Sequence, residues 1–210
     1  MKNTDSVRDF YEDAADGYSQ MMDQEIALPV YDEVLSGLVD RIRTIEGAIL
    51  DTSCGSGHML AKLRDDYQVS NSLLGADLSP RMVELSQKKL GGDVTILEAD
   101  MRVLDAVSAE SCAAIISFYS LHHIVADELE SCFSEWHRVL VAGGQLVIAT
   151  WEGEGAIDYG YETNMCAQRF TFFQLEEALL ASRFQVDAHR TQSVDDFEMD
   201  GLYISATCVR

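Results

Sequence analysis

The sequence predicts an α/β protein in which a parallel β-sheet is covered by helices on both faces. Three observations carry that prediction. Short apolar runs fall near residues 47–52, 72–77, 93–98, 113–118 and 144–151; between them apolar residues recur at helical spacing; and the chain ends in two strand-like segments joined by a loop too short for a helix. Taken in order, Val34, Leu35, Leu38, Val39 and Ile42 mark one face of a helix ahead of the first strand. After the second strand, Ser79 suits an N-cap and Pro80 the first helical position, where a missing N–H is harmless. Leu129, Cys132, Phe133, Trp136 and Leu140 form the buried stripe of a later helix. The segments Phe184–Arg190 and Leu202–Val209, joined by the acidic loop 191–200, read as an antiparallel closing hairpin.

Length and composition bound the rest. At 210 residues and 47% hydrophobic content the chain can bury a full core, and residues 1–210 read as a single domain. The two prolines, Pro29 and Pro80, mark no linker, and no repeat, low-complexity tract, signal-peptide start or membrane-length apolar run is present. A cytoplasmic protein is therefore expected. The five cysteines, Cys54, Cys112, Cys132, Cys166 and Cys208, lack any C-x-x-C pair, which argues against a zinc site and a disulfide framework and for buried thiols. Fifteen Lys and Arg against 36 Asp and Glu give a net charge of −21. Such a charge repels nucleic acid and anionic membrane, and is explained most simply by a solvated acidic surface. Oligomeric state is left open by these features.

The most informative stretch is Ala48-Ile49-Leu50-Asp51-Thr52-Ser53-Cys54-Gly55-Ser56-Gly57-His58, an apolar strand running into a glycine turn. Asp77 ends the next strand, twenty residues after Gly57. A turn that lets backbone approach a ligand, beside a carboxylate able to accept from two ribose hydroxyls, suits an adenosyl group. Leu60 stands where the dinucleotide fingerprint G-x-G-x-x-G needs its third glycine, so a pyrophosphate clasp and a nicotinamide-dependent oxidoreductase are disfavoured.

Read from Asp51, the turn is D-x-S-x-G-x-G, which resembles the D-x-G-x-G-x-G first motif of the class I S-adenosylmethionine-dependent methyltransferases, with Ser53 at the first glycine position. Leu74-Gly75-Ala76-Asp77-Leu78-Ser79-Pro80-Arg81-Met82 resembles the family's second motif, and Leu97-Glu98-Ala99-Asp100-Met101 its adenine-edge segment. The strand Ala114–Phe118 with Leu121-His122-His123, and Arg138-Val139-Leu140-Val141-Ala142-Gly143-Gly144, resemble its fourth strand and the approach to its fifth, with Ala142 in place of the usual proline. The matches run in order over roughly 45–150, the cofactor-binding core. The resemblance implies a Rossmann-like three-layer sandwich with a seven-stranded, mostly parallel sheet whose last strand is antiparallel. It implies S-adenosylmethionine as cofactor, released as S-adenosylhomocysteine. It places Asp77 on the ribose, Leu78 on one adenine face, Asp100 on the exocyclic amine and Met101 over the ring, with Asp51, Ser53, Gly55, Gly57, Met82, Ser117 and Phe118 completing the cofactor site.

Two regions outside that core are candidates for acceptor contacts. Residues 1–30 contain Phe10-Tyr11-Glu12-Asp13-Ala14-Ala15-Asp16-Gly17-Tyr18, similar to the segment that folds over the cofactor in small-molecule members, which nominates Tyr11 and Tyr18. Residues 151–170 interleave Trp151, Tyr159 and Tyr161 with Glu152, Glu154, Asp158 and Glu162, a mixture suited to a cationic amine. The D/N-P-P-Y/F motif of enzymes that methylate nucleic-acid amines is absent, Ser117-Phe118-Tyr119-Ser120 standing there instead. The expected activity is methyl transfer to a small-molecule nitrogen or to a carboxylate or hydroxyl oxygen; a cofactor-binding protein without turnover is the alternative. His122 and His123 are candidate bases, since an ordinary imidazole titrates near pH ~6.5. His58, His137 and His189 have no metal-ligand spacing, and no metal is expected.

Overall fold

A computed structural model describes residues 2–157, 165, 167–194 and 199–210. Helices α1 (Lys2–Glu25) and α2 (Pro29–Ile42) precede β1 (Ala48–Asp51), α3 (His58–Asp65), β2 (Leu73–Asp77), α4 (Pro80–Leu90), β3 (Thr95–Glu98) and β4 (Cys112–Phe118). Short 3-10 turns at Leu121–His123 and Ala126–Glu128 lead into α5 (Leu129–Val139) and β5 (Leu140–Trp151), then α6 (Phe172–Ala181), β6 (Phe184–Ser193) and β7 (Asp200–Cys208). The strands form one seven-stranded sheet in the order β3-β2-β1-β4-β5-β7-β6. β7 alone is reversed, pairing antiparallel with both β5 and β6.

Burial explains the order of elements. β1 is buried on all four residues and β4 on six of seven, as strands covered on both sides must be. On one face, Leu35 and Leu38 of α2, Leu60 and Leu63 of α3 and Leu90 of α4 pack on Ile49, Ala114 and Ile116. On the other, Phe133 and Trp136 of α5 and Leu175 and Leu179 of α6 pack on Leu50, Ile115 and Ile148. Helix starts follow their caps. The Ser79 hydroxyl accepts from the Met82 amide at 3.2 Å with Pro80 at the first turn, and Thr171 forms a capping box with Gln174.

Two boundaries differ from the sequence expectation. Leu140, placed in a helix by its spacing, has extended backbone and pairs with Cys112, so α5 stops at Val139 and β5 begins four residues before the predicted 144. Gly143, in the left-handed region at φ 76°, turns the chain within that early part of the strand and explains why periodicity missed it. The acidic loop 191–200 is shorter than predicted: β6 continues through Ser193, which pairs with Asp200 of β7.

Candidate functional site

The carboxyl ends of β1, β2 and β4 open into a cavity. This is where an open α/β sheet binds ligands. Asp77 stands on its floor. Oδ2 accepts from the Gly55 amide at 2.8 Å and Oδ1 from the Ser79 amide at 3.0 Å, fixing the carboxylate between turn and helix start. Burial pushes its pKa up to about 6 despite those bonds. Asp51, which accepts from the Ser53 amide, is pushed up to about 7 by burial and further by Asp77. Two carboxylates in a poorly hydrated site are electrostatically incomplete. A ligand bringing hydroxyl donors and positive charge would complete them.

The rest of this wall is backbone and soft side chains. Gly55 has φ +50°, and a Cβ there would lie 3.3 Å from the Tyr18 ring, so the glycine lets α1 close down on the turn. Ser53, Leu78, Met82, Asp100 and Met101 also face the cavity. Trp136 donates to the Met101 carbonyl at 2.9 Å, pinning that residue from the core side. Asp100 is held by Arg102, which keeps its carboxyl below the ordinary range against its burial. Arg102 reaches on to Glu128 and to Thr4 of α1.

The opposite wall comes from α1, through Thr4, Val7, Tyr11 and Tyr18, and from Phe118, Tyr119, Ser120, His123 and Ile124 beyond β4. The Tyr11 hydroxyl lies 2.9 Å from His123 Nε2. A smaller chamber, walled in part by Asp51, Cys54, Tyr31 and Met59, shares Tyr18, Ser53, Phe118 and Tyr119 with the first.

Other predicted residues lie elsewhere. Gly57 caps α3 at φ +86°, where a Cβ would sit 2.8 Å from Leu90, so it serves helix packing. Ser117 is fully buried and bonded to Ser120 at 3.1 Å. His122, behind His123 at a ring-centroid distance of 4.0 Å, is held neutral chiefly by burial. Trp151 is one ring away from the cavity, packed on Tyr119 with ring centroids 4.7 Å apart and planes tilted by 43°. Glu152 and Glu154 are not on the cavity wall, and Tyr159, Tyr161, Asp158 and Glu162 lie outside the described residues. Thr4, Val7, Arg102 and Tyr119 escaped the sequence reading. Only the aromatic character next to Phe118 hinted at Tyr119. His58, given no role from sequence, has Nε2 at 2.8 Å from both Asp23 of α1 and Lys89 of α4, and so ties that helix to the core. Among the described residues no cluster of His, Cys, Asp and Glu could hold a metal ion, and no helix is long and apolar enough to cross a membrane.

Comparison with known proteins places this architecture. Residues 49–144 match the methyltransferase domain family. An uncharacterized methyltransferase of Bacillus cytotoxicus is 26% identical over 179 residues, 84% of this chain and 78% of that protein. One from Oceanobacillus iheyensis is 28% identical over 117 residues, an alignment spanning 56% of this chain and about half, 51%, of the relative. Among solved structures, the 1,6-didemethyltoxoflavin-N1-methyltransferase of Burkholderia thailandensis, with 1,6-didemethyltoxoflavin and S-adenosylhomocysteine bound, superposes with a TM-score of 0.76 at 18% identity, covering 98% of this chain and 88% of that one. The family match covers a little under half of the chain, and the reversed seventh strand and the Asp51–Gly57 turn agree with its resemblance to the class I S-adenosylmethionine-dependent methyltransferases.

Proposed function

We propose that the protein transfers the methyl group of S-adenosylmethionine to a nitrogen or oxygen of a small molecule enclosed beneath α1, by in-line displacement. One observation carries the reading: the cavity that holds Asp77, Asp100 and Met101 continues without a break to Tyr11, Ser120 and His123. Cofactor and acceptor would thus share one continuous space, as direct transfer requires.

Bound there, the cofactor supplies a methyl group already activated by its sulfonium charge. The protein's residues need to hold, orient, keep dry and take up a proton. Asp77 is placed to accept from the ribose, Leu78 and Met101 to sandwich adenine, and Asp100 to accept from its amine. Asp51 and Ser53 face the chamber suited to the methionine tail. Val7, Phe118, Tyr119 and Ile124 line an apolar passage that excludes water. His123 is the group placed to take a proton from an acceptor that arrives protonated.

Nitrogen is favoured over a carboxylate oxygen. The lining cation, Arg102, is already engaged by Asp100 and Glu128, so the protein offers an anionic acceptor no uncommitted cation beyond the cofactor's own sulfonium. The heteroaromatic nitrogen acceptor of the Burkholderia enzyme fits the same description by analogy of fold. Net charge of −21 and the roof formed by α1 disfavour nucleic acid and membrane as partners. Calorimetric titration with S-adenosylmethionine and S-adenosylhomocysteine, followed by an acceptor panel monitored for S-adenosylhomocysteine, tests the proposal. Micromolar binding with turnover on a neutral or amine acceptor is expected; binding with no turnover on any acceptor would leave a cofactor-holding protein.

A further inference from the structure

We propose that Tyr119 is the residue that reads the positive charge on the cofactor's sulfur, and that Tyr203 and Gly201 of β7 are the mount that holds its ring in place. The proposal rests on the methyl transfer just described and goes beyond it by assigning a charge-sensing wall that no sequence motif marks.

The two chambers locate the charge. On that reading adenosine lies with Asp77, Asp100 and Met101 in the larger cavity, and the methionine tail beside Asp51 in the smaller chamber. The sulfur joins these two parts of one molecule, so it falls where the chambers meet. Tyr119 lines both of them. An aromatic face attracts a cation, most strongly where water is excluded. Burial pushes the Tyr119 phenol far above its ordinary range, and the bond to Tyr203 adds to this, so the residue meets the charge as a neutral ring and not as a base.

The backbone shows that the position of this ring is imposed. Four of the described non-glycine residues have left-handed backbone, and Tyr119, at φ 46°, is the one among them on the cavity wall. A bulky side chain holds that conformation only where its surroundings over-determine it. Here they do. The Tyr119 amide donates to the Ala149 carbonyl of β5 at 2.7 Å, and its hydroxyl lies 2.6 Å from that of Tyr203, 84 positions away. The two rings meet edge to face, with centroids 6.3 Å apart and planes at 88°.

Gly201 makes room for this pair. A Cβ there would lie 2.8 Å from the Tyr119 oxygen and 3.1 Å from the Tyr203 oxygen, so a side chain would displace them. Glycine within a strand weakens it and marks a close approach; this one sits between Trp151 of β5 and Gln192 of β6 in the sheet register. Behind Tyr203, the Arg190 guanidinium lies 4.9 Å from the ring centroid and is paired with Glu33 of α2 at 2.7 Å. The mount thus reaches from the cavity wall through β7 to α2. S-adenosylhomocysteine has no charge on sulfur, so a wall that attracts the sulfonium favours the reactant form and loosens its hold once the methyl group has gone.

Calorimetric titration of wild type, Y119L, Y203F, the Y119L/Y203F double variant and G201A with S-adenosylmethionine and with S-adenosylhomocysteine tests this, and no acceptor is needed. Y119L should weaken S-adenosylmethionine about 10-fold while moving S-adenosylhomocysteine by less than about 2-fold. Y203F keeps its ring but breaks the mount, and should lose about 3-fold on S-adenosylmethionine alone, with G201A behaving alike. In the double variant the Y203F loss should vanish, because Tyr203 acts through Tyr119. Equal weakening of both ligands would make these residues ordinary packing and overturn the proposal, as would losses that add in the double variant. If Y119L does not fold, the nearly isosteric Y203F still decides through the ratio of the two affinities. A wild-type protein that binds neither ligand overturns the methyl-transfer reading and this inference together, whereas binding of both at a ratio that no variant changes overturns this inference alone.

Discussion

On the strand side of the cavity the carboxylates are held by backbone: Asp77 by the amides of Gly55 and Ser79, Asp51 by that of Ser53. On the α1 side the contacts are mostly between side chains, Tyr11 with His123, Thr4 with Arg102, Asp23 with Lys89 and His58, Asp16 with Arg81. The difference is one of stiffness. Backbone donors at strand ends are fixed by the sheet and present before any ligand arrives, so they can hold charge where water has been removed. Side-chain pairs across a helix surface are screened and separable, which suits a lid that must open for exchange.

The largest expected effect breaks the strand side. Folding raises the pKa of Asp51 to about 7 and of Asp77 to about 6, both chiefly through burial. Between about pH 4 and pH 7 the unfolded chain has therefore already released protons that the folded chain retains, and stability of the cofactor-free protein falls as pH rises through that window. Asp51→Asn removes one such carboxylate while keeping an acceptor for the Ser53 amide. It should stabilise the cofactor-free protein at neutral pH by on the order of 3 kcal/mol and flatten the decline, while weakening cofactor binding. Denaturant melts of both proteins across pH decide it; parallel declines would mean that overall acidity, rather than Asp51, sets the slope.

Next in size, Asp77→Ala should weaken cofactor affinity by about 1–3 kcal/mol through loss of the charged ribose acceptor. Calorimetry with S-adenosylhomocysteine reads this directly. An unchanged affinity would move the cofactor out of this wall and undo the contrast between the two sides.

The same contrast accounts for what could be read from the chain. The strand-side residues are linked to local signals: an apolar run ending in Asp51, a positive-φ glycine at Gly55, an N-cap at Ser79 two residues after Asp77. Short-range rules about turns and helix starts suffice to find them. Gly57 shares the motif but not the cavity, because its backbone conformation is required by the contact of α3 with α4. Strand positions were legible for a similar reason, since burial on both faces leaves an apolar run whatever the partners are. The α1 wall was only half legible. Tyr11 and Tyr18 stand out as aromatics, but Thr4, Arg102 and the His58–Asp23–Lys89 cluster acquire their roles from partners 31 to 98 positions away. No periodicity encodes such a pairing. Leu140 shows the opposite error, a residue that fits the helical stripe in spacing yet belongs to the strand because its pairing with Cys112 wins over propensity.

The smallest expected effect sharpens the lid side. Glu12→Gln keeps the length and one acceptor oxygen but removes the charge placed at the start of α4, where Glu12 meets the Ser79 hydroxyl and the Arg81 amide. Loss of that charge at a helix N-terminus costs about 0.5–1 kcal/mol. If α1 acts as a separable lid, the loss falls on closure: S-adenosylhomocysteine should dissociate about 2- to 5-fold faster by stopped flow, with the global melting transition barely moved. Raising the ionic strength should mimic the substitution in wild type and add little to the variant, because both act on the same screened contacts. A melting transition that drops while the dissociation rate holds would instead make α1 an integral part of the core, as rigid as the strand side it faces.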